Sequence, residues 1–534
     1  LHFASVNMPK PLANKPAVNP WLIAVTVSMA TFMEVLDTSI ANVALRYIAG
    51  SLAAGLDEST WVLTSYLVSN AIILPLSGWI SERVGRKRFY MTCVTLFTIS
   101  SFLCGIAPSL GFLLVARVLQ GAGGGGLAPS EQAILTDTFP AEKRAAAFAL
   151  YGIAVVVAPA IGPTLGGWLT DAYNWRWIFF INIPVGILSL TLTHFLVPAD
   201  EEKSEEEKSD KAKAKIDYLG FGLVALGLGC LQVVLDRGQI DDWFGSPLIT
   251  TFAIVSGFCL VLFVIHELTV PDPVVDLPLL KDPSFFISNL IMFLFGAILL
   301  GTTQLIPQLT QDLLGYTATV AGLTLSPGGI LVFLLLPFVG WLLGRTQPKY
   351  LIAFGFFISW GALYFMAHSF TTQASFGLTV FARCFQALGL AFLFVPINTV
   401  AYSGLPKGKS DNASALINLM RNLGGSVGIS VAQTMLDRRG QMHQNRMVGN
   451  ITPLNNNYWN AIHGWNPQQT TVGPPNVSQA VRSLGSIYGQ LTRQATMMSY
   501  LDVFQMMSYV ALGSMVVVIL FLRRTRPGEK AQAH

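Results

Sequence analysis

Residues 114–123 read LVARVLQGAG and residues 380–389 read VFARCFQALG. Arg117 meets Arg383, Gln120 meets Gln386 and Gly123 meets Gly389, all at an offset of 266 residues. The segments behind them keep that offset: FPAEKRAAAFAL (139–150) faces LPKGKSDNASAL (405–416). Earlier in the chain, LPLSGW (74–79) resembles LPFVGW (336–341) at an offset of 262, a four-residue indel away. Apolar segments resemble one another easily. Matched arginines inside two apolar runs, with matched loops behind them, do not arise that way, so the chain contains a duplication.

Composition says where the duplicated unit lives. Of 534 residues, 52% are hydrophobic and only 12% charged, and the mean hydropathy is +0.54. A soluble domain carries about 25% charged residues, so soluble globular and disordered chains are both excluded. The 48 glycines and 34 phenylalanines suit helices packed in lipid. Cys93, Cys104, Cys230, Cys259 and Cys384 lie in apolar runs without a CxxC pair, so neither a disulfide framework nor a metal site is expected.

A membrane-crossing helix needs about 20 mostly apolar residues. Fourteen runs qualify: 21–43, 59–80, 89–107, 110–136, 145–169, 176–197, 217–236, 247–268, 285–307, 318–343, 350–368, 376–402, 412–436 and 498–522. The weakest are 217–236, which is glycine-rich, and 412–436, which contains Asn418, Arg421 and Asn422. The first run lacks a small-residue cleavage site and reads as a retained helix rather than a signal peptide. With the N-terminus placed in the cytoplasm, twenty-two lysines and arginines fall in inside segments, against Arg46, Arg176 and Arg237 in the short outside loops. That is the positive-inside bias, and an even number of spans puts both termini inside.

The expected organisation follows. Residues 1–20 form a cytoplasmic N-terminus, 21–197 a six-helix bundle and 198–216 a charged, solvated linker. Two extra helices occupy 217–268. A second six-helix bundle covers 285–522 and includes a long outside loop, 437–497, rich in Asn, Gln, Gly and Pro, which either folds into a small cap or stays mobile. Residues 523–534 form a cytoplasmic tail. The repeat pairs span 2 with span 10 and span 4 with span 12, each pair running in one direction. Two parallel six-helix halves, all α-helical, with spans 7 and 8 between them, are the mark of the major facilitator architecture.

Charges inside the spans are the candidate functional groups, because one at the bilayer centre costs about 2.5–3.5 kcal/mol unless it faces protein or water. They are Glu34, Asp37, Arg117, Arg383 and Arg421. Glu34 and Asp37 lie about 20 and 24 Å along span 1, and Arg117 about 10 Å down span 4 from the outer side, so the acids and Arg117 share one level. An arginine favours the charged form of a neighbouring carboxylate, and an apolar contact favours the protonated form. If the helices rock, this arrangement carries a proton; if they do not, it is a static pair fixing span 1 to span 4. The proton reading is taken here, with Asp37 ahead of Glu34. Asn418, Arg421 and Asn422 form a polar stripe that lines a cavity. Gln120, Arg383 and Gln304 are placed with it, and Tyr66 and Tyr151 are aromatic contacts or core. Asp502, near an outer end, is expected to be solvated.

Two further stretches suit gating. In GWISERVGRKR (78–88), Gly78 and Gly85 allow close turns, Arg83 and Arg86 anchor the loop, and Glu82 pairs with an arginine or caps a neighbouring helix. In APAIGPTLGG (158–167), Pro159 and Pro163 kink the helix while Gly162, Gly166 and Gly167 permit tight packing.

Together these stretches resemble the fourteen-helix drug:proton antiporters of the major facilitator superfamily, and within them the EmrB-type multidrug exporters. GWISERVGRKR is similar to the loop-2/3 signature, with Glu82 where Asp is usual. LVARVLQGAG is similar to the helix-4 arginine motif, and APAIGPTLGG to the antiporter signature, with Ala158 in place of its first Gly. LDTSIANVAL (36–45), and LDRG (235–238) with Trp243, are similar to that group as well. The resemblance runs from about Trp21 to Leu522. It implies export of hydrophobic or amphipathic compounds in exchange for protons across a bacterial inner membrane, with a periplasmic adaptor and an outer-membrane channel as partners. Two rivals stay open: an importer or facilitator on the same fold, and a non-transporting membrane sensor. No HExxH, GxSxG or P-loop is present, so neither an enzyme nor a nucleic-acid partner is expected, and no cofactor.

Overall fold

The computed structural model describes residues 19–198, 217–271, 273–403, 405, 409–449, 451 and 479–522. The charged linker, the terminal tails and residues 452–478 lie outside them, and so does Asn476-Val477-Ser478, a match to the glycosylation pattern. Fourteen long helices account for nearly all of the rest. In the first half these are α1 (Pro20–Ser51), α2 (Trp61–Val84), α3 (Arg86–Gly105), α4, α5 (Ala141–Ala172) and α6 (Asn182–Leu196). Two more follow, α7 (Tyr218–Arg237) and α8 (Pro247–Glu267). The second half holds α9 (Pro283–Asp312), α10 (Ala318–Leu343), α11 (Pro348–Ser369), α12 (Phe376–Ala401), α13 (Ser410–Val448) and α14 (Gln479–Phe521). Helix α4 is broken into Leu110–Gly124 and Leu127–Thr138. Asparagine, aspartate or serine side chains cap α1, α7, α9 and α12 from Asn19, Asp217, Asp282 and Ser375. Gly85, at φ 94°, makes the turn from α2 to α3.

Among the described residues, thirteen helices are long and apolar enough to cross a membrane. The exception is α13, the weak run of the sequence. It is enclosed by α9, α14, α2 and the second segment of α4, so its polar face needs no lipid solvent. Within each half the helices pack as a bundle: α1 on α5 and α6, α2 and α3 on α4, α9 on α13, and α11 on α12 and α14. The halves meet along two seams, α5 on α10 and α2 on α13. The repeat carries α2 to α10 and α5 to α13, so it exchanges one seam for the other. Helix α7 lies on α2, where Gly229 faces Ile72 and Val68, and Gln232 accepts from Ser426 of α13 at 3.1 Å. Helix α7 therefore covers the outside of one seam, and α8 packs on α7.

Both ends of the 437–497 segment are helical, while residues 452–478 lie outside the described residues. Helix α13 has 39 residues and α14 has 43, about 58 and 64 Å at 1.5 Å per residue, roughly twice the ~30 Å hydrocarbon core. Residues 437–448 and 479–497 continue the two helices as an antiparallel pair. His443 Nε2 to Asp502 Oδ2 (2.9 Å) and Gln444 to the Tyr488 hydroxyl (2.9 Å) clip the pair together. Asp502 is thus bonded between helices rather than simply solvated.

Close backbone approach holds α9 to α13. A Cβ on Gly424 would strike Phe293 O, and one on Gly428 would meet Ala297 Cα at 2.6 Å. Gly424→Leu should therefore lower the thermal unfolding midpoint in detergent, through an overpacking cost of about 1–3 kcal/mol. Gly513→Ala, with nothing within 4 Å, should leave the midpoint unchanged. A Gly424→Leu protein that melts like wild type would contradict this packing.

Candidate functional site

The sequence brings a carboxylate and an arginine to one level, and the fold closes them into a knot. Asp37 Oδ2 accepts from Arg117 Nη1 at 2.6 Å, and both side chains are at most 1% exposed. Asp37 Oδ1 accepts from Gln120 (3.0 Å) and from Asn182 at the start of α6 (2.7 Å). Gln120 also donates to Ser101 of α3 and accepts a second bond from Arg117 (2.7 Å). Arg117 Nε donates to Val62 O, and the guanidinium stands over the Tyr66 ring with 4.4 Å to its centroid. Five of the six helices in this half contribute to the knot. Gln120 belongs to it, not to the cavity stripe.

The repeat builds the same scaffold in the other half without the acid. Arg383 Nη1 donates to Gln386 Oε1 at 2.7 Å, the distance of Arg117 to Gln120. Gln386 Nε2 donates to Thr302 at 2.8 Å, and Arg383 reaches Thr302 and Thr303 at 3.5 and 3.3 Å. Thr302 takes the place of Asp37. Arg383 is buried, its Nε has no hydrogen bond, and its partners are side chains rather than backbone carbonyls. Its hydrogen bonds go to Gln386, Thr302 and Thr303 and not to the Arg421 stripe.

That stripe crosses between the halves. Glu34 Oε1 accepts from Tyr66 (3.1 Å) and Asn70 (3.2 Å). Asn70 accepts from Asn422 of α13 (3.4 Å), whose amide oxygen accepts from Arg421 Nε (3.4 Å). Arg421 Nη1 donates to the Tyr151 hydroxyl (3.0 Å), which donates to Asn418 (3.1 Å). Asn418 and Tyr402 both donate to Gln132 Oε1, at 2.8 and 3.0 Å, and Gln132 Nε2 donates to Asn398 (3.3 Å). Tyr66 and Tyr151 are wholly buried, yet their hydroxyls carry this network. Gln304 stands elsewhere and accepts from Asn42 across the α1–α9 contact at 2.9 Å.

At the end of the α2–α13 seam, charges bind the halves. Arg86 is clamped between Asp137 and Asp411, with Nε to Asp411 Oδ1 at 3.0 Å and Nη2 to Oδ2 at 2.5 Å. Ser81 adds 3.0 Å to Asp411, and Asn412 donates to Glu82 at 2.8 Å. Gly78 lies directly under Asn412. Arg83 stands over the Trp79 ring at 4.1 Å. On α5, Pro159 O accepts from Ser39, Gly162 faces Ser39, and Gly166 faces Ile40 of α1. Gly167 faces Thr319 of α10, and Thr164, beside Pro163, contacts Ser326 at 3.1 Å. The prolines and glycines of α5 thus serve two contacts, one within a half and one across the seam.

A family model described as Major Facilitator Superfamily matches residues 27–429. The chain belongs to the major facilitator superfamily. Within it, the multidrug export protein EmrB of Escherichia coli K12 is 36% identical over 503 residues, covering 93% of this chain and 95% of that protein. EmrB of Haemophilus influenzae is 41% identical over 434 residues, covering 81% and 84%. The fatty acid resistance protein FarB of Neisseria gonorrhoeae is 38% identical over 439 residues, covering 82% and 85%. The chain is a multi-pass membrane protein of this EmrB-related family. The proton:xylose symporter XylE shares its fold, with a TM-score of 0.60 at 14% identity over 95% of this chain and 97% of that one.

For this facilitator, reading the sequence overlooked Glu131, Gln132, Asn398, Tyr402, Asp137, Asp411 and Asn182. One signal was present: Gln132 and Asn398 stand 266 residues apart, the offset of the repeat, so the symmetry-related pair bond to each other. Asp411 sits in the first turn of α13, where an acid suits a helix N-terminus, but nothing in sequence aims Arg86 at it.

The charge asymmetry is testable. Arg117→Met strands Asp37 and should cost about 3–5 kcal/mol in stability. Thr302→Asp gives Arg383 a counter-charge and should raise the melting midpoint. A lower midpoint for Thr302→Asp would show that the two scaffolds are not equivalent.

Proposed function

We propose that this chain exports hydrophobic or amphipathic compounds from the cytoplasm in exchange for protons, by alternating access, with Asp37 as a proton carrier. The observation that carries the reading is the buried Asp37–Arg117 pair, set in a scaffold whose mate in the other half has no acid. One scaffold therefore holds a titratable acid and its mate does not, as expected when protonation changes how one bundle sits against its partner. Each proton moving inward contributes about 2.3 kcal/mol per 100 mV. The substrate path runs along the Glu34–Asn422–Arg421–Tyr151–Asn418 stripe, where both halves offer polar groups. The Arg86–Asp411 clamp, with Glu82 and Asn412, is the gate at the face bearing both termini, and α5 against α10 is the sliding seam.

The proposed setting is a bacterial inner membrane with both termini cytoplasmic, supported by the lysine and arginine asymmetry of the loops. The α13–α14 extension then stands on the periplasmic side, where it is placed to meet an adaptor protein and, through it, an outer-membrane channel. The names of the relatives, which speak of multidrug export and fatty acid resistance, support amphipathic substrates.

Reconstituted protein under an imposed pH gradient should expel ethidium or a fluorescent long-chain fatty acid, and Asp37→Asn should slow this by roughly tenfold or more. Undiminished gradient-driven efflux in Asp37→Asn removes that residue from the mechanism. Probe binding without any flux would favour the sensor, and uptake without proton exchange the facilitator. For alternating access, Asn42→Cys with Gln304→Cys, bridged by a bifunctional thiol reagent, should stop transport. Full transport in the bridged protein would defeat the rocking model.

A further inference from the structure

Glu131 lies in the second segment of α4, two residues after Pro129 and just past the break at Gly125 and Gly126. It is wholly buried. Oε1 accepts one hydrogen bond, from Ser28 of α1 at 2.5 Å, and Oε2 accepts none. No cation stands within salt-bridge distance of it among the described residues. The ionisable groups that face it are Glu34 on α1, Tyr90 on α3, Tyr151 on α5 and Arg421 on α13. Arg421 already donates to Tyr151 and Asn422. A charged carboxylate so placed has lost its water for two hydroxyl groups at most, those of Ser28 and Thr31, an unfavourable exchange that a proton on Oε2 removes.

Packing does not call for an acid here. The repeat places Ile397 at the equivalent position, 266 residues on, and Ile397 is equally buried. The chemistry of the carboxyl group is what distinguishes the two positions, as at Asp37 and Thr302. Position along α1 supplies the second argument. Ser28, Thr31, Glu34 and Asp37 follow at intervals of three, so each neighbours the next on the helix surface. The Thr31 hydroxyl also lies beside the Glu131 carboxyl group. The row climbs from Glu131, near the end of α4 that faces the termini, through Glu34 to the Asp37–Arg117 knot.

We propose that Glu131 is a second proton-carrying residue, placed at the terminal-face end of a row of polar side chains along α1. It rests on the proton-coupled reading above. In the transfer, a protonated Glu34 gives its proton to the Glu131 carboxylate, through the Thr31 hydroxyl. Glu34 is left charged beside Tyr66, Asn70 and Arg421, and Glu131 becomes the neutral acid. Its proton leaves when the seam at the terminal face opens.

The test uses the full chain in proteoliposomes. Infrared difference spectra between acid and alkaline buffer should contain a carboxylic-acid C=O band that is missing from Glu131→Gln and kept in Asp37→Asn. With ethidium as probe, Glu131→Gln should move fewer protons per probe than wild type. A Glu131→Gln spectrum that superimposes on wild type, or an unchanged proton-to-probe ratio, overturns the proposal. Ser28→Ala covers the case in which Glu131→Gln does not fold. Losing the bond to Oε1 should shift the frequency of the same band, and an unshifted band also overturns the proposal. Undiminished efflux in Asp37→Asn would instead sink the function proposed above and leave the assignment of the Glu131 band intact.

Discussion

Two opposite charges held out of water, Asp37 and Arg117, constrain the first half of this protein. Their carboxylate and guanidinium bond to each other and to groups from α2, α4 and α6, and Arg117 Nη2 has no further hydrogen bond. Such a pair adds little net stability, because desolvation offsets the Coulomb attraction, but breaking it leaves a charge stranded. The helices that meet there must therefore move together. The seams are held differently, by glycine contacts and side-chain hydrogen bonds, with the Arg86 clamp supplying charge at one end.

The second half inherits the geometry and drops the acid. Arg383 and Gln386 keep the spacing of Arg117 and Gln120, and Thr302 supplies a hydroxyl where Asp37 supplies a carboxylate. Duplication thus yields two scaffolds of one geometry, with a carboxylate in only one. The polar stripe from Glu34 to Gln132 runs through the interface of the two, so a change of charge in one bundle acts directly on the contacts that join them. At Gln132 and Asn398 the pseudo-symmetry closes on itself, since equivalent residues of the two halves are hydrogen-bonded partners.

Much of this was legible in sequence for a specific physical reason. Apolar runs long enough to cross a bilayer are local features, and the spans came out within a few residues except where local hydropathy misleads. Helices α13 and α14 continue beyond the core as polar helices, which an apolarity criterion cuts short, so their extensions read as a loop. Helix α4 reads as continuous because the Gly125–Gly126 break lies inside an apolar run. The Asp37–Arg117 level followed from counting rise per residue. Asp411 did not, because an acid in a short loop reads as solvated until the fold sets it against Arg86.

The chain by itself determined that it spans a membrane, that it is built from two parallel halves, and which deep charges need partners. Each of those follows from hydropathy, length and the cost of a charge in lipid, properties that belong to the residues themselves. Tertiary structure alone decided who the partners are. Arg117 found an acid and Arg383 a threonine, Gln120 bonds to Asp37 and Arg117, and Glu131 emerged buried against the Ser28 hydroxyl. Partnership depends on distances between helices far apart in sequence, and hydropathy carries no record of those distances.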